Sequence, residues 1–292
     1  LVRVPMTADG ERSIASLVEI NEAEVWARCI ELAATMPGDP LGAVIDRSGP
    51  VPLPALTAAD SSSFNRVVAL GVGAPATPDC IDRIVAHYRD LGQRNFRVEL
   101  APVAGPPELT GWLERAGLRP VSEGMTKVWR RLEDVDVDLD LGLEPAAELC
   151  DVRRLTEADA GLVSALNVRA WGAWQTPVSL RPWFAATVGR DGFAHYGAFV
   201  DDHLVCTGAM CIDGQLAWIG FDATHPRHRS RQLRRSLTCR RLTDAQEAGC
   251  TIIHAEGRTD RLSGRSRMLD TLYVRRFFAR GDEVVEGPRE GS

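Results

Sequence analysis

The segment between residues 195 and 224 restricts the fold more than any other part of the chain. Three apolar-rich runs, 195–200, 204–212 and 215–224, have turn dipeptides between them, Asp201-Asp202 and Asp213-Gly214. Runs of strand length joined by two-residue turns of this chemistry read as an antiparallel meander. An arginine-dense loop follows, then a long helical stretch to Glu247 that Gly249 ends. After it come an apolar strand at 251–255 and a helix expected around 266–276. Upstream, a short strand at 150–155 leads into Thr156-Glu157-Ala158-Asp159, a helix start whose helix runs to about Trp171. Antiparallel strands followed by strand–helix–strand units define an α/β fold with a mixed sheet.

Part of that order occurs earlier in the chain. Ile14, Leu17, Val18 and Val25 recur near helical spacing, predicting a helix over 13–36 that Pro37 and Gly38 stop. A Pro- and Gly-rich stretch to Pro54 reads as loop around one short apolar run at 43–45. Strands are expected at 64–70, 96–100 and 125–131, with helices from Thr77 or Pro78 to 91 and over 107–116. Residues 133–144 then hold six acids and no basic residue, alternating with Val and Leu, which suits an edge strand or an extended linker. A chain of 292 residues exceeds what one core usually serves. The expected division is 1–145 and 146–292.

Composition excludes several function classes. Net charge is −6, which leaves no global footprint of a polyanion binder. Lys127 is the only lysine, so arginine richness reflects first a compositional bias. Seven cysteines, an odd number with no C-x-x-C pair, argue against a disulfide framework or a structural zinc site, and no metal is expected. The first residues lack an apolar core of signal-peptide length, and no run approaches the ~18 apolar residues of a spanning helix. A cytoplasmic protein without membrane contact is the expectation.

Taken in order, these residues resemble the GNAT (GCN5-related N-acetyltransferase) superfamily, and in particular its tandem two-domain members. The stretch from Val152 to Asp159 looks like the opening of many such domains. Gly208 lies where they carry a small residue before a central strand. Trp218 to Thr224, followed by His225-Pro226-Arg227-His228-Arg229, is similar to the strand and turn that lead into the acyl-CoA phosphate loop. Ser266 to Tyr273 matches the spacing of the family's N-x-x-A-x-x-L-Y helix. In the N-terminal half, the run from Phe64 to Gly71 and the ending from Trp112 to Leu118 resemble a degenerate GNAT-like domain.

The resemblance implies a site. The family's R/Q-x-x-G-x-G/A loop uses backbone amides at a helix N-terminus to cradle pyrophosphate, with glycines allowing close approach. Here the aligned residues are Arg229, Ser230, Arg231, Gln232, Leu233 and Arg234, with Thr224 before and Arg235 after. Gln232 and Arg234 stand where glycines are expected. Seven arginines between Asp222 and Asp244, with no acid among them, supply charge in exchange. Two donors therefore stay open: acetyl-CoA or another acyl-CoA, and an acyl carrier protein or aminoacyl-tRNA. Tyr273 matches the family's general acid, which protonates the departing thiolate. Asp222 and Glu256 are the carboxylates available as base, with His225 and His254 as further options. Trp171, Trp174 and Trp218, with Trp183, could line a pocket for a small-molecule amine acceptor. Either a monomer or a homodimer fits, and a non-catalytic binding protein on the same fold is the remaining alternative.

Overall fold

The computed structural model describes residues 8–121, 124–133, 135, 151–171, 178–229, 231–257 and 269–281. Two compact units emerge, and neither is contiguous in sequence. The first comprises Leu1–Ile30, Gly42–Gly124 and Val274–Ser292; the second comprises Glu31–Leu41 and Met125–Tyr273. Residue 145, the expected boundary, lies outside the described residues.

The first unit draws on α1 (Ala8–Ala34), β1 (Ala43–Asp46), β2 (Leu53–Leu56), β3 (Arg66–Val67), α2 (Pro78–Asp90), β4 (Phe96–Leu100), α3 (Leu109–Arg115) and β5 (Arg119–Val121). Helix α2 forms as its sequence dictates. Thr77 caps it by accepting from the Cys80 amide, Pro78 opens it, and Ile81, Ile84 and Tyr88 are buried on one face. The Pro-rich stretch expected as loop is instead an antiparallel pair, β1 with β2, in which every residue of β2 is buried. The strand expected over 64–70 shortens to β3. Ala69 turns left-handed (φ 64°), and the Asn65 side chain holds the Leu56 amide at 2.9 Å, so the run cannot stay extended.

The second unit holds β6 (Thr126–Arg131), β7 (Asp151–Leu155), α4 (Ala160–Trp171), β8 (Phe193–Val200), β9 (His203–Asp213), β10 (Leu216–Thr224), α5 (Arg231–Glu247), β11 (Ile252–Gly257) and β12 (Asp270–Val274). A 3-10 stretch at Val178–Ala185 follows α4. The meander is present: β8, β9 and β10 are antiparallel neighbours. Asp201 and Asp202 both take positive φ, 48° and 60°, as a type I′ turn demands. Seven strands order as β12-β6-β11-β10-β9-β8-β7, with β10 and β11 parallel.

One expectation is corrected. The helix predicted around 266–276 is not formed over its described part. Residues 270–274 are strand β12, and Arg276–Arg280 is a further strand, β13. Thr271, Leu272, Tyr273 and Val274 are β-branched, aromatic or apolar, and pairing beside β6 satisfies that preference better than a helix would. Strand β13 then pairs with β4 and β5 in the four-stranded sheet β3-β4-β13-β5 of the first unit. Among the described residues, the last strand of each half of the sequence is thus paired in a sheet with strands of the other half.

Helix α5 covers one face of the seven-stranded sheet. Its Leu233, Leu237, Leu242 and Ala245 share a core with Val128, Met210, Ala217, Ile219, Ile253 and Ala255. Fully burying each Leu, Ile, Val or Met side chain among them contributes about 1.5–3 kcal/mol. The opposite face, where side chains alternate with these, is packed by α4.

Candidate active site

The central pair of strands parts at one end. β10 pairs with β11 from Leu216 opposite Ile252 to Ile219 opposite Ala255. Beyond that point β10 continues to Thr224 and β11 to Gly257. On its other edge β10 pairs with β9 at Gly220–Ala209 and resumes at Ala223–Thr207. Phe221 and Asp222 therefore share the one partner position of Gly208, a β-bulge, with Phe221 at φ 54°. The opening lies at the carboxyl ends of two parallel strands, where α/β sheets commonly bind ligands.

Side chains divide between the faces of this opening. Asp222 turns toward α5. Its carboxylate accepts from the Arg241 guanidinium at 2.7 and 3.4 Å, and Arg241, itself buried, also donates to the Ala209 carbonyl at 3.1 Å. Gly208 is required there, because a Cβ would fall 2.5 Å from the Asp222 carboxylate. Ala255 and Val128 belong to the core under α5, so their neighbours Glu256 and Lys127 alternate to the other face, each the Cα partner of the other. Glu256 is half-buried and Lys127 fully buried. The two carboxylates named from the sequence are thus on opposite faces of the sheet.

Trp218 shares the face of Glu256, two residues along from Gly220. Its six-membered ring lies over Gly220, where a Cβ would approach within 2.3 Å. The indole Nε1 is buried without a hydrogen-bond partner among the described residues. Phe221 stands edge-on to Trp218 at 5.2 Å and to Trp183 at 6.0 Å, so three aromatic rings line this side of the bulge. Trp171 ends α4, and Trp174 lies outside the described residues.

The expected phosphate loop follows the bulge. Thr224 closes β10, its hydroxyl 3.2 Å from the Cys206 thiol, which burial pushes up to about 11. Arg229 is exposed, Arg231 and Gln232 open α5, Leu233 is buried in the core, and Arg234 and Arg235 are half-buried. Ser230 lies outside the described residues. The loop thus ends on the N-terminus of a 17-residue helix, the end that favours an anion. His225 Nε2 is 3.0 Å from Arg169 of α4. Loss of solvation, then Arg169, His228 and Arg227, lower its pKa, as a cationic surrounding does.

Tyr273 is placed elsewhere. It is half-buried on β12, three strand spacings from β10, which at ~4.8 Å each amounts to roughly 14 Å. The structure does not bring it to the opening beside β10. Lys127 is the residue that sequence reasoning left out. Its one signal was being the only lysine in an arginine-biased chain.

Known structures share this architecture. A GCN5-related N-acetyltransferase from Kribbella flavida superposes with TM-score 0.58 at 18% identity, covering 86% of this chain and 95% of that one. A tandem GNAT protein from the clavulanic acid biosynthesis pathway gives TM-score 0.56 at 18% identity, covering 89% and 94%. A C-terminal domain from Agrobacterium fabrum, named for lysylphosphatidylglycerol synthetase, gives 0.52 at 12% identity, covering 88% and 93%. No family profile and no curated protein sequence matches the chain. The chain carries the fold of the GCN5-related N-acetyltransferases, in the two-unit form of the tandem proteins.

Among the described residues no helix is long and apolar enough to cross a membrane. Nor do three or more His, Cys, Asp or Glu of those residues gather as metal ligands.

Proposed function

We propose that the protein is an N-acyltransferase that moves an acyl group from an acyl-CoA thioester to the amine of a small molecule. The observation that carries this reading is the opening between β10 and β11, with its bulge at Phe221-Asp222 and the N-terminus of α5 directly after it. The amine nitrogen attacks the thioester carbonyl from the Glu256 face. A backbone amide of β10 beyond Ile219 binds the oxygen as negative charge develops on it. The amine's proton passes to Glu256, directly or through water, and Lys127 across the strand pair sets the charge around that carboxylate. Collapse of the tetrahedral intermediate breaks the C–S bond, and the leaving thiolate takes up a proton. CoA phosphates lie at the start of α5. There Arg229, Arg231, Arg234 and Arg235 replace by bidentate contacts what Gln232 and Arg234 deny to a glycine-lined nest.

The loss of both glycines also favours a second reading, in which the same chemistry draws on a carrier-protein thioester or an aminoacyl-tRNA. Calorimetric titration with acetyl-CoA separates the two, with Arg231→Ala/Arg234→Ala as the control. Micromolar binding that weakens in the variant supports a CoA donor. No heat up to millimolar acetyl-CoA rejects it and leaves the macromolecular donors.

A further inference from the structure

Resting on the acyl-transfer reading above, we infer that the acceptor amine is carried on a flat, uncharged ring, which lies against Phe221 and presents a hydrogen-bond acceptor to Nε1 of Trp218. Phe221 takes φ 54°, a left-handed conformation that a bulky side chain adopts only at a cost and that glycine adopts freely. The bulge needs two residues opposite Gly208, and its other member, Asp222, is committed to Arg241. Glycine would complete the bulge without strain. What phenylalanine adds is a half-buried ring beside Trp218, just past Ile219, the last residue of β10 that pairs with β11. Backbone strain of this kind clusters where a side chain is kept for its contacts with a ligand.

Two further rings wall this position. Trp218 and Trp183 are buried and stand at 73° and 89° to the plane of Phe221. An aromatic guest extends such a set by edge-to-face or offset contact. The three rings carry no charge, so a substituent buried against them must be neutral. Trp218 adds a polar contact. Gly220 and its β9 partner Ala209 leave room along the strand for the indole, whose Cζ2 and Cη2 lie over Gly220. The ring thus runs along β10 toward the bulge, and Cζ2 is bonded to the carbon that carries Nε1. Trp218 is 3% exposed, and its Nε1 has no hydrogen-bond partner among the described residues. A buried N–H left unpaired is costly, and a ligand oxygen that accepts from it removes that cost on binding. An indole N–H only donates, so the ligand atom is an acceptor, an ether, a carbonyl or a ring nitrogen.

Matched amines test both contacts. Phenethylamine and cyclohexylethylamine differ in the flatness of the ring. The meta and para isomers of methoxyphenethylamine differ from those of ethylphenethylamine by an ether oxygen in place of a methylene. Each is titrated calorimetrically into the protein with and without CoA, and assayed for acetyl transfer from acetyl-CoA by thiol release. We expect the flat ring to bind at least ~3-fold tighter than the saturated one. In one of the two isomers the ether should bind at least ~5-fold tighter than its hydrocarbon match. Phe221→Leu should erase the ring preference. Trp218→Phe, which keeps a ring and loses the N–H, should erase the ether preference alone. The wild-type comparisons stand even where a variant fails to fold. Equal binding within the ring pair, no ether preference in either isomer, or a preference that its substitution leaves in place overturns the subsite. Both preferences in binding, with no transfer to any of these amines, sustain it and reject the acyl-CoA reading instead, so the two failures are distinct.

Discussion

Asp222 on β10 and Arg241 on α5 stand 2.7 Å apart beneath the bulge, and the bare Cα of Gly208 is what lets them meet. The Asp222 side chain is 15% exposed and that of Arg241 1%, so the pair is largely withdrawn from water. This pair anchors the bulge to the helix rather than presenting a base to the acceptor side. Removing one partner of a buried pair costs about 3–5 kcal/mol, because the remaining charge is left uncompensated. Arg241→Met should therefore lower the unfolding free energy by about that much in urea titration. The double variant Asp222→Asn/Arg241→Met should recover part of it. Gly208→Ala, which drives a methyl group into the carboxylate, should impair acyl transfer more than folding. Equal stability of wild type and Arg241→Met would remove the anchoring role.

Glu256 and Lys127 offer a sharper test of the chemistry. Both face away from α5, on neighbouring strands, at a separation that directly opposed residues hold at about 5 Å between Cβ atoms. Glu256→Gln keeps the shape of the side chain and removes its basicity. It should cut kcat by about 10²–10⁴, the usual share of a positioned base, with donor affinity unchanged. Lys127→Met should also slow transfer, and Lys127→Arg should restore part of the rate. A full-speed Glu256→Gln enzyme would transfer the proton role to water.

How much of this was legible beforehand depends on the range of the interaction. Turns written in adjacent residues, such as Asp201-Asp202, and the Thr77-Pro78 cap of α2 are local, and the structure has them as read. Residues 270–274 matched a helical motif in spacing. Their β-branched and aromatic side chains and the vacant edge of β6, more than 130 positions earlier, made a strand of them. Pairing of β6 with β11 put Lys127 beside Glu256, and pairing of β12 with β6 moved Tyr273 away from β10; no periodicity within any of these segments encodes either. The bulge was equally silent, because Phe221-Asp222 continues an unbroken apolar-rich run and only the register against β9 discloses it.

Arg275 shows the same long range in energetic form. It sits between β12 and β13, buried, and donates to Glu19 at 2.7 Å, Glu99 at 2.8 Å and Glu22 at 2.9 Å. Among the described residues Arg66 also reaches Glu22 and Glu99, and Arg97 reaches Glu99, so three guanidinium groups meet these carboxylates. Arg275→Met leaves the acids in excess, so a loss of about 3–5 kcal/mol is expected in urea unfolding. Arg275→Lys should rescue little, since one ammonium cannot reproduce three separate contacts. A near-neutral Arg275→Met would mean that water reaches these carboxylates.

His195 makes stability depend on pH in a defined direction. Its ring is buried on β8, with Nε2 2.9 Å from the Thr187 hydroxyl. Burial first, and the Arg241 charge second, lower its pKa to about 4. The unfolded chain, with an ordinary value near ~6.5, binds the proton more readily between these limits. Stability from this group is therefore complete above about pH 6.5 and declines as pH falls toward 4. From well above pH 6.5 down to pH 5 the loss amounts to about 2 kcal/mol. Asp46, held at about 2 because hydrogen bonds from Arg83 and Ser48 outweigh its own burial, titrates below that window and does not confuse it. His87 acts in the same sense but is common to wild type and variant. Urea unfolding at pH 7, 6.5, 5.5 and 5 should show wild type falling more steeply than His195→Gln. Parallel curves would mean that His195 gains its proton equally well in the folded protein.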